Sequence, residues 1–206
     1  MTAIKIPVSC FFDYICPFCY VGSVRLERLA ERYPLAIRWR FIEIHPDAPS
    51  AGRPLSELGY PPEQWAQMQQ ALQRMVEEDQ IPMAERSFTT NSRRALLLAQ
   101  AVLDQRPENF LPLHRRLFRA YFVEQLNIGD PELLTALARE LGVDDLLDQA
   151  WGGPRYFGML VKHVEKAQEL GLTGVPALEV GQRLFTGAVS MQTLEQALQQ
   201  AAGGKS

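Results

Sequence analysis

The sequence predicts an α/β fold in which a small mixed domain is split by an inserted all-helical domain. Strand-like runs stand only near the two ends of the chain, helical periodicity fills the middle, and a close cysteine pair marks the first strand-to-helix junction. The 206 residues, 47% of them hydrophobic, suffice for an ordinary core.

From Ile4 to Phe12 an apolar, β-branched run reads as a buried strand, with Pro7 implying a late start or a place near an edge. Leu26, Leu29, Ala30 and Tyr33 then recur at helical spacing, so Pro17 to Tyr33 reads as a helix stopped by Pro34. Leu35, Ile37, Trp39 and Phe41 alternate with Ala36, Arg38 and Arg40, a second strand, and together these make a βαβ beginning. The Pro- and Gly-rich stretch from Asp47 to Pro62 reads as a loop.

Helical spacing follows without a break. Its apolar stripes are Ala95, Leu98, Ala99 and Val102; Phe110, Leu113, Leu117 and Tyr121; Leu134, Leu137, Ala138 and Leu141, opened by the cap Asp130-Pro131; and Phe157, Leu160, Val161 and Val164, closed by Gly171. Strand signals return at Ala177 to Val180 and Leu184 to Phe185, joined by Gly181-Gln182-Arg183 as a hairpin. A last helix carries Leu194, Ala197, Leu198 and Ala201. The expected division is residues 1–50 with 170–206 as the mixed domain and 51–169 as the helical insertion.

A formal net charge of -3 argues against nucleic acid or an anionic membrane surface as a partner. No apolar run reaches the roughly 18 residues of a membrane span, and Met1 to Phe12 lacks the pattern of a secretory signal, so the expected location is cytoplasmic. In that compartment three cysteines do not make a structural disulfide framework.

The chemistry concentrates at Cys16-Pro17-Phe18-Cys19. Cys16 falls at the helix N-cap, where unpaired N–H groups and the positive end of the helix dipole favour a thiolate over a thiol. Pro17 suits the first helical position, and Cys19 lies one turn further in, within reach of a disulfide. The same spacing serves half a zinc site, but there is no second such pair, and His45, His114 and His163 have no ligand spacing among themselves, so no metal is expected. Two inert core cysteines remain the bland alternative. Cys10 reads as a core residue, and Glu43 as a solvated glutamate with an outside claim to relay a proton to Cys19. The second feature is Thr173-Gly174-Val175-Pro176-Ala177, a proline leading into a strand, which by itself is a simple turn element.

Beside the cysteine pair, that proline resembles the cis-proline of thioredoxin-fold families, which faces the active-site cysteines before the third strand. The segments Phe12 to Gly22, Asn91 to Ala95, Ala120 to Phe122 and Gly171 to Ala177 together resemble the DsbA family, in its cytoplasmic FrnE-like branch. The resemblance implies a thioredoxin-like fold with an inserted helical domain and a protein disulfide oxidoreductase or isomerase. It implies Cys16 as the attacking thiol, Cys19 as the resolving thiol, and Pro17, Phe18, Val175 and Pro176 as residues facing substrate. Phe18 departs from the His of periplasmic members and cannot donate a hydrogen bond, so their strong oxidising power is not implied. Protein or peptide thiols and disulfides are the expected partners. No cofactor is expected beyond the cysteine pair, with glutathione as a candidate co-substrate. Two other readings stand beside this one: a glutathione-dependent enzyme of the kappa transferase or 2-hydroxychromene-2-carboxylate isomerase type, which has the same fold but lacks an intact pair, and a peptide-binding scaffold without turnover.

Overall fold

The computed structural model describes residues 5–203. Strand β1 (Ile6–Phe12) leads into helix α1 (Pro17–Ala30), and β2 (Leu35–Phe41) returns parallel to β1, with Ile6 opposite Leu35 and Phe12 opposite Phe41. A parallel pair needs a crossover, and α1 supplies it. The helix ends at Ala30, short of Tyr33, and buries Leu26 and Leu29 while Ala30 is exposed. Ile4 lies outside the described residues.

The middle of the chain is less uniform than its periodicity suggests. A short strand β3 (Arg53–Pro54) precedes α2 (Pro62–Glu78), and β4 (Phe88–Thr89) pairs antiparallel with β3 before helix resumes. The break has a local cause. Gln80 adopts a left-handed conformation (φ 52°), and the N–H groups of Gln80 and Ile81 turn back to the carbonyls of Glu77 and Val76. Glycine normally takes that position, so a glutamine there gave no stop signal.

Next come α3 (Arg93–Gln105), α4 (Pro107–Phe122), α5 (Pro131–Glu140), α6 (Leu147–Gly152) and α7 (Pro154–Glu169). Asp130 caps α5 by accepting from the Glu132 N–H at 2.9 Å. In α7 the buried side is Tyr156, Leu160 and His163, so of the apolar stripe read from the sequence only Leu160 is fully buried. Phe157 and Val161 are exposed, because the helix turns its polar-tipped Tyr156 and His163 inward, where each finds a hydrogen-bond partner. The chain closes with β5 (Ala177–Val180), β6 (Arg183–Thr186) and α8 (Met191–Gly203). Val180 lies opposite Arg183, so the hairpin turn is the two residues Gly181 and Gln182, one shorter than expected, with Gly181 at φ 61°.

The four-stranded sheet has the order β2-β1-β5-β6, with β5 antiparallel to both β1 and β6. Pro7 therefore sits in an inner strand rather than at an edge. Ile6 donates to Pro34 on the β2 side, so alternation turns Pro7 toward β5, where pairing begins only at Val8 opposite Val180. All four strands come from the two ends of the chain, while α2 to α7 come from the middle. Helix α3 packs against α4, α5, α6 and α7; α7 packs on β2, and α8 on β1 and β5.

One apolar core runs through both parts. At its centre His114 of α4 bonds the Tyr14 hydroxyl (3.0 Å) through Nδ1 and the Ser23 hydroxyl (2.7 Å) through Nε2. Burial and the nearby Arg115 charge push His114 down to about 3, so it is neutral near pH 7. A second tie is the buried ion pair from Arg25 of α1 to Asp79 at the end of α2 (2.6 Å), where Arg25 also donates to the Val189 carbonyl (2.7 Å). Among the described residues no helix is long and apolar enough to cross a membrane.

Candidate active site

Strand β1 ends at Phe12, and a tight turn in which Cys16 N–H donates to the Asp13 carbonyl delivers Cys16 to the N-cap of α1. Its backbone is extended (φ -87°, ψ 117°), Pro17 takes the first helical position, and the Cys16 carbonyl accepts from the N–H groups of Cys19 and Tyr20. The Cys16 side chain caps nothing in the helix. Its Sγ instead faces the Val175 carbonyl at 3.6 Å, across the cis bond from Val175 to Pro176. That loop also packs on α1, since a Cβ at Gly22 would lie 3.7 Å from the Pro176 side chain. Residues 159 positions apart thus meet at one helix end.

The two thiols of the pair differ in surroundings. Cys16 is 5% exposed, and what is exposed lies in a cavity of about 480 Å³. Cys19 is buried behind it, and burial, followed by its contact with Cys16, pushes its thiol well above the ordinary value, although the Asp13 N–H directed at it acts the other way. All three cysteines are free thiols; Cys10, buried in β1 between Trp39 and Leu178, is pushed up to about 12 by burial.

The cavity lies between the sheet end and the helical insertion. Ile15, Cys16, Pro17 and Phe18 line one side, Thr173, Gly174 and Val175 another; Trp65, Met68 and Gln69 of α2 and Val164, Ala167 and Gln168 of α7 complete the wall. His45, Tyr60, Arg86 and Thr89 also reach it. Pro176 is not among the lining residues; it packs behind Val175 against α1.

Three residues look different here than in the sequence. Glu43 is not solvated: its carboxylate accepts from Arg93 Nε (2.9 Å) and Asn91 Nδ2 (3.0 Å), and its side chain is only 7% exposed. Asp13 is fully buried, and its carboxyl accepts from the N–H groups of Ile15 (3.3 Å) and Ile44 (2.9 Å). Burial pushes it up to about 7, with the Glu43 charge adding to the rise, while these N–H groups and the neighbouring Ser92 hydroxyl oppose it. A lone acid between Phe12 and Tyr14 was the available signal. Arg86, in the irregular segment before β4, reaches the cavity from a stretch that read as helical, and nothing in its local sequence set it apart. Among the described residues no group of three or more His, Cys, Asp or Glu side chains gathers as a metal site.

A thiol at a helix N-terminus, a second thiol one turn inside and a cis-proline loop facing the first define a thioredoxin-type site on a thioredoxin-like fold with a helical insertion. The chain belongs to the DSBA-like thioredoxin domain family, whose profile matches residues 7–199. The Bacillus subtilis (strain 168) protein YwbO, itself uncharacterised, is 25% identical over 193 residues, covering 93% of this chain and 94% of that protein. A crystal structure described as a probable DsbA oxidoreductase from Streptomyces coelicolor superposes with a TM-score of 0.83 at 22% identity, over 98% of this chain and 92% of the other. The structure of a 2-hydroxychromene-2-carboxylate isomerase superposes with a TM-score of 0.76 at 20% identity, over 94% of this chain and 95% of the other. These two structures share the fold.

Proposed function

We propose that this protein is a thiol-disulfide oxidoreductase of the FrnE-like branch, acting in the cytoplasm on protein or small-molecule disulfides. One observation carries the reading: Cys16 presents its sulfur to a cavity at a helix N-terminus, while Cys19 waits buried one turn behind it. In the reductive direction the Cys16 thiolate attacks a substrate disulfide, a mixed disulfide forms, and one substrate sulfur leaves as a thiolate. Cys19, deprotonated, then attacks Cys16 Sγ, closing the Cys16–Cys19 disulfide and releasing the second substrate thiol. Two electrons pass from the dithiol to the substrate, and the two thiol protons follow to its sulfurs. The reverse sequence oxidises a substrate dithiol. Pro17, Phe18 and Val175 face the incoming sulfur, and Pro176 holds Val175 against α1.

The intact pair favours this reading over a glutathione-dependent isomerase, despite the shared fold. Reduction of insulin and of 2-hydroxyethyl disulfide, with the protein held reduced by an external thiol, tests it. Turnover that disappears in Cys16→Ser is the expected result. Failure on both disulfides, or full turnover by Cys16→Ser, contradicts it.

A further inference from the structure

We infer that Arg86 is an anion anchor in the Cys16 cavity, and that the disulfide this site accepts best carries a carboxylate close to its sulfur. The inference rests on the thiol-disulfide exchange proposed above and names the substrate class for it. At about 480 Å³ the cavity falls in the range that encloses a small molecule, and helices α2 and α7 wall it. Among the described residues no aspartate or glutamate lines it. Arg86 is the one arginine or lysine among the described residues that does.

The Nε atoms of Arg40, Arg53 and Arg86 are buried without an acceptor, and of these three arginines Arg86 alone lines the cavity. Arg53 and Arg93 are paired with Asp47 and Glu43, and Arg25 with Asp79. Among the described residues no carboxylate comes within 4.0 Å of the Arg86 guanidinium, and its buried Nε has no hydrogen-bond acceptor. The guanidinium lies 5.5 Å from the centre of the Phe122 ring, which supports a cation without neutralising it. A desolvated, half-buried charge without an acceptor is costly, and a ligand carboxylate would supply both the opposite charge and the acceptor. Burial holds Arg86 below its ordinary value, while Tyr121 and Cys16, when ionised, act to raise it, so this cation and the Cys16 sulfur share one field. His45 is pushed down by burial and by the Arg53 and Arg86 charges, which leaves Arg86 as the cavity's cation near neutral pH.

The step is ordinary exchange. Cys16 forms its bond to the sulfur on the carboxylate-bearing half, the substrate S–S bond breaks, and the other half leaves as a thiolate. Cys19 then displaces the anchored half, and the two electrons and two protons of the dithiol end on the two product thiols.

The test compares kcat/KM of the reduced wild-type protein for three disulfides of similar size: 3,3′-dithiodipropionate (anionic), 2-hydroxyethyl disulfide (neutral) and cystamine (cationic). The wild type should prefer the anionic over the neutral disulfide by roughly tenfold, the order expected for one charge-assisted contact, and the preference should shrink as salt is raised. In Arg86→Gln the anionic-to-neutral ratio should fall to about one, and Arg86→Lys should keep part of it. A wild type that reduces all three with equal kcat/KM overturns the anion subsite and leaves the exchange chemistry standing. A wild-type preference that persists unchanged in Arg86→Gln overturns the assignment to Arg86. No turnover of any of the three while insulin is still reduced overturns the anion subsite, and no turnover of the three or of insulin overturns the proposed function itself.

Discussion

The two cysteines of the pair have the same side chain and opposite circumstances. Burial raises Cys19 well above the ordinary thiol value, whereas Cys16 lies at a helix N-terminus and opens on the cavity. In the reduced protein iodoacetamide should alkylate Cys16 first, at least about tenfold faster than Cys19; equal rates by peptide mapping would contradict the assigned order. Cys10, held at about 12, should remain a free thiol, and mass spectrometry of the oxidised protein should find one disulfide, Cys16 to Cys19. Finding Cys10 in that bond would contradict its assignment to the core. The pair was legible because its spacing and its place at a strand-to-helix junction are local. Asp13 and Arg86 were not, because their importance comes from what folds over them.

At the scale of elements, sequence periodicity located strands and helices well where a single face is buried, as in α4 and the alternating β2. It failed where tertiary contacts override it. The phase of α7 is set by the partners of Tyr156 and His163, and the end of α2 by a left-handed Gln80. That end matters, because Asp79, the next-to-last residue before Gln80's neighbour Ile81 turns back, is the carboxylate that neutralises buried Arg25. Asp79→Ala leaves that guanidinium uncompensated and should cost about 3–5 kcal/mol in urea unfolding, whereas replacing Arg25 and Asp79 together by apolar residues should cost less. A loss below about 1 kcal/mol in the single variant would mean that the pair does not tie α1 to α2.

For the whole molecule, buried titratable groups on both parts set the dependence of stability on pH. His114 and His163 are pushed from 6.5 down to about 3 and about 4, chiefly by burial, so the stability they carry is present above pH 6.5 and is lost as pH falls toward those values. Asp13 is raised from 3.8 to about 7, so its contribution is complete below its ordinary value and is lost as pH rises through about 7. Between about pH 4 and 6.5 the two histidines outweigh the one carboxyl, and above 6.5 the carboxyl acts alone. Unfolding free energy should therefore peak near pH 6.5. Asp13→Asn should remove the decline toward pH 8, and His114→Gln should flatten the acid limb; a wild-type maximum below pH 5 would contradict this balance. The division of the sheet between the chain ends was legible from where strand signals occur. The cavity was not, since its walls come from five separate segments that only the fold brings together.

The proposed attack by Cys16 and resolution by Cys19 leave a mixed disulfide between them, which can be trapped. Reduced Cys19→Ser protein, mixed with excess 2-hydroxyethyl disulfide and examined by intact and peptide mass spectrometry, should accumulate a stable mixed disulfide on Cys16, while the wild type should pass through to the Cys16–Cys19 disulfide without accumulating it. A Cys19→Ser protein that carries the adduct on Cys10, or forms none at all, would contradict the account.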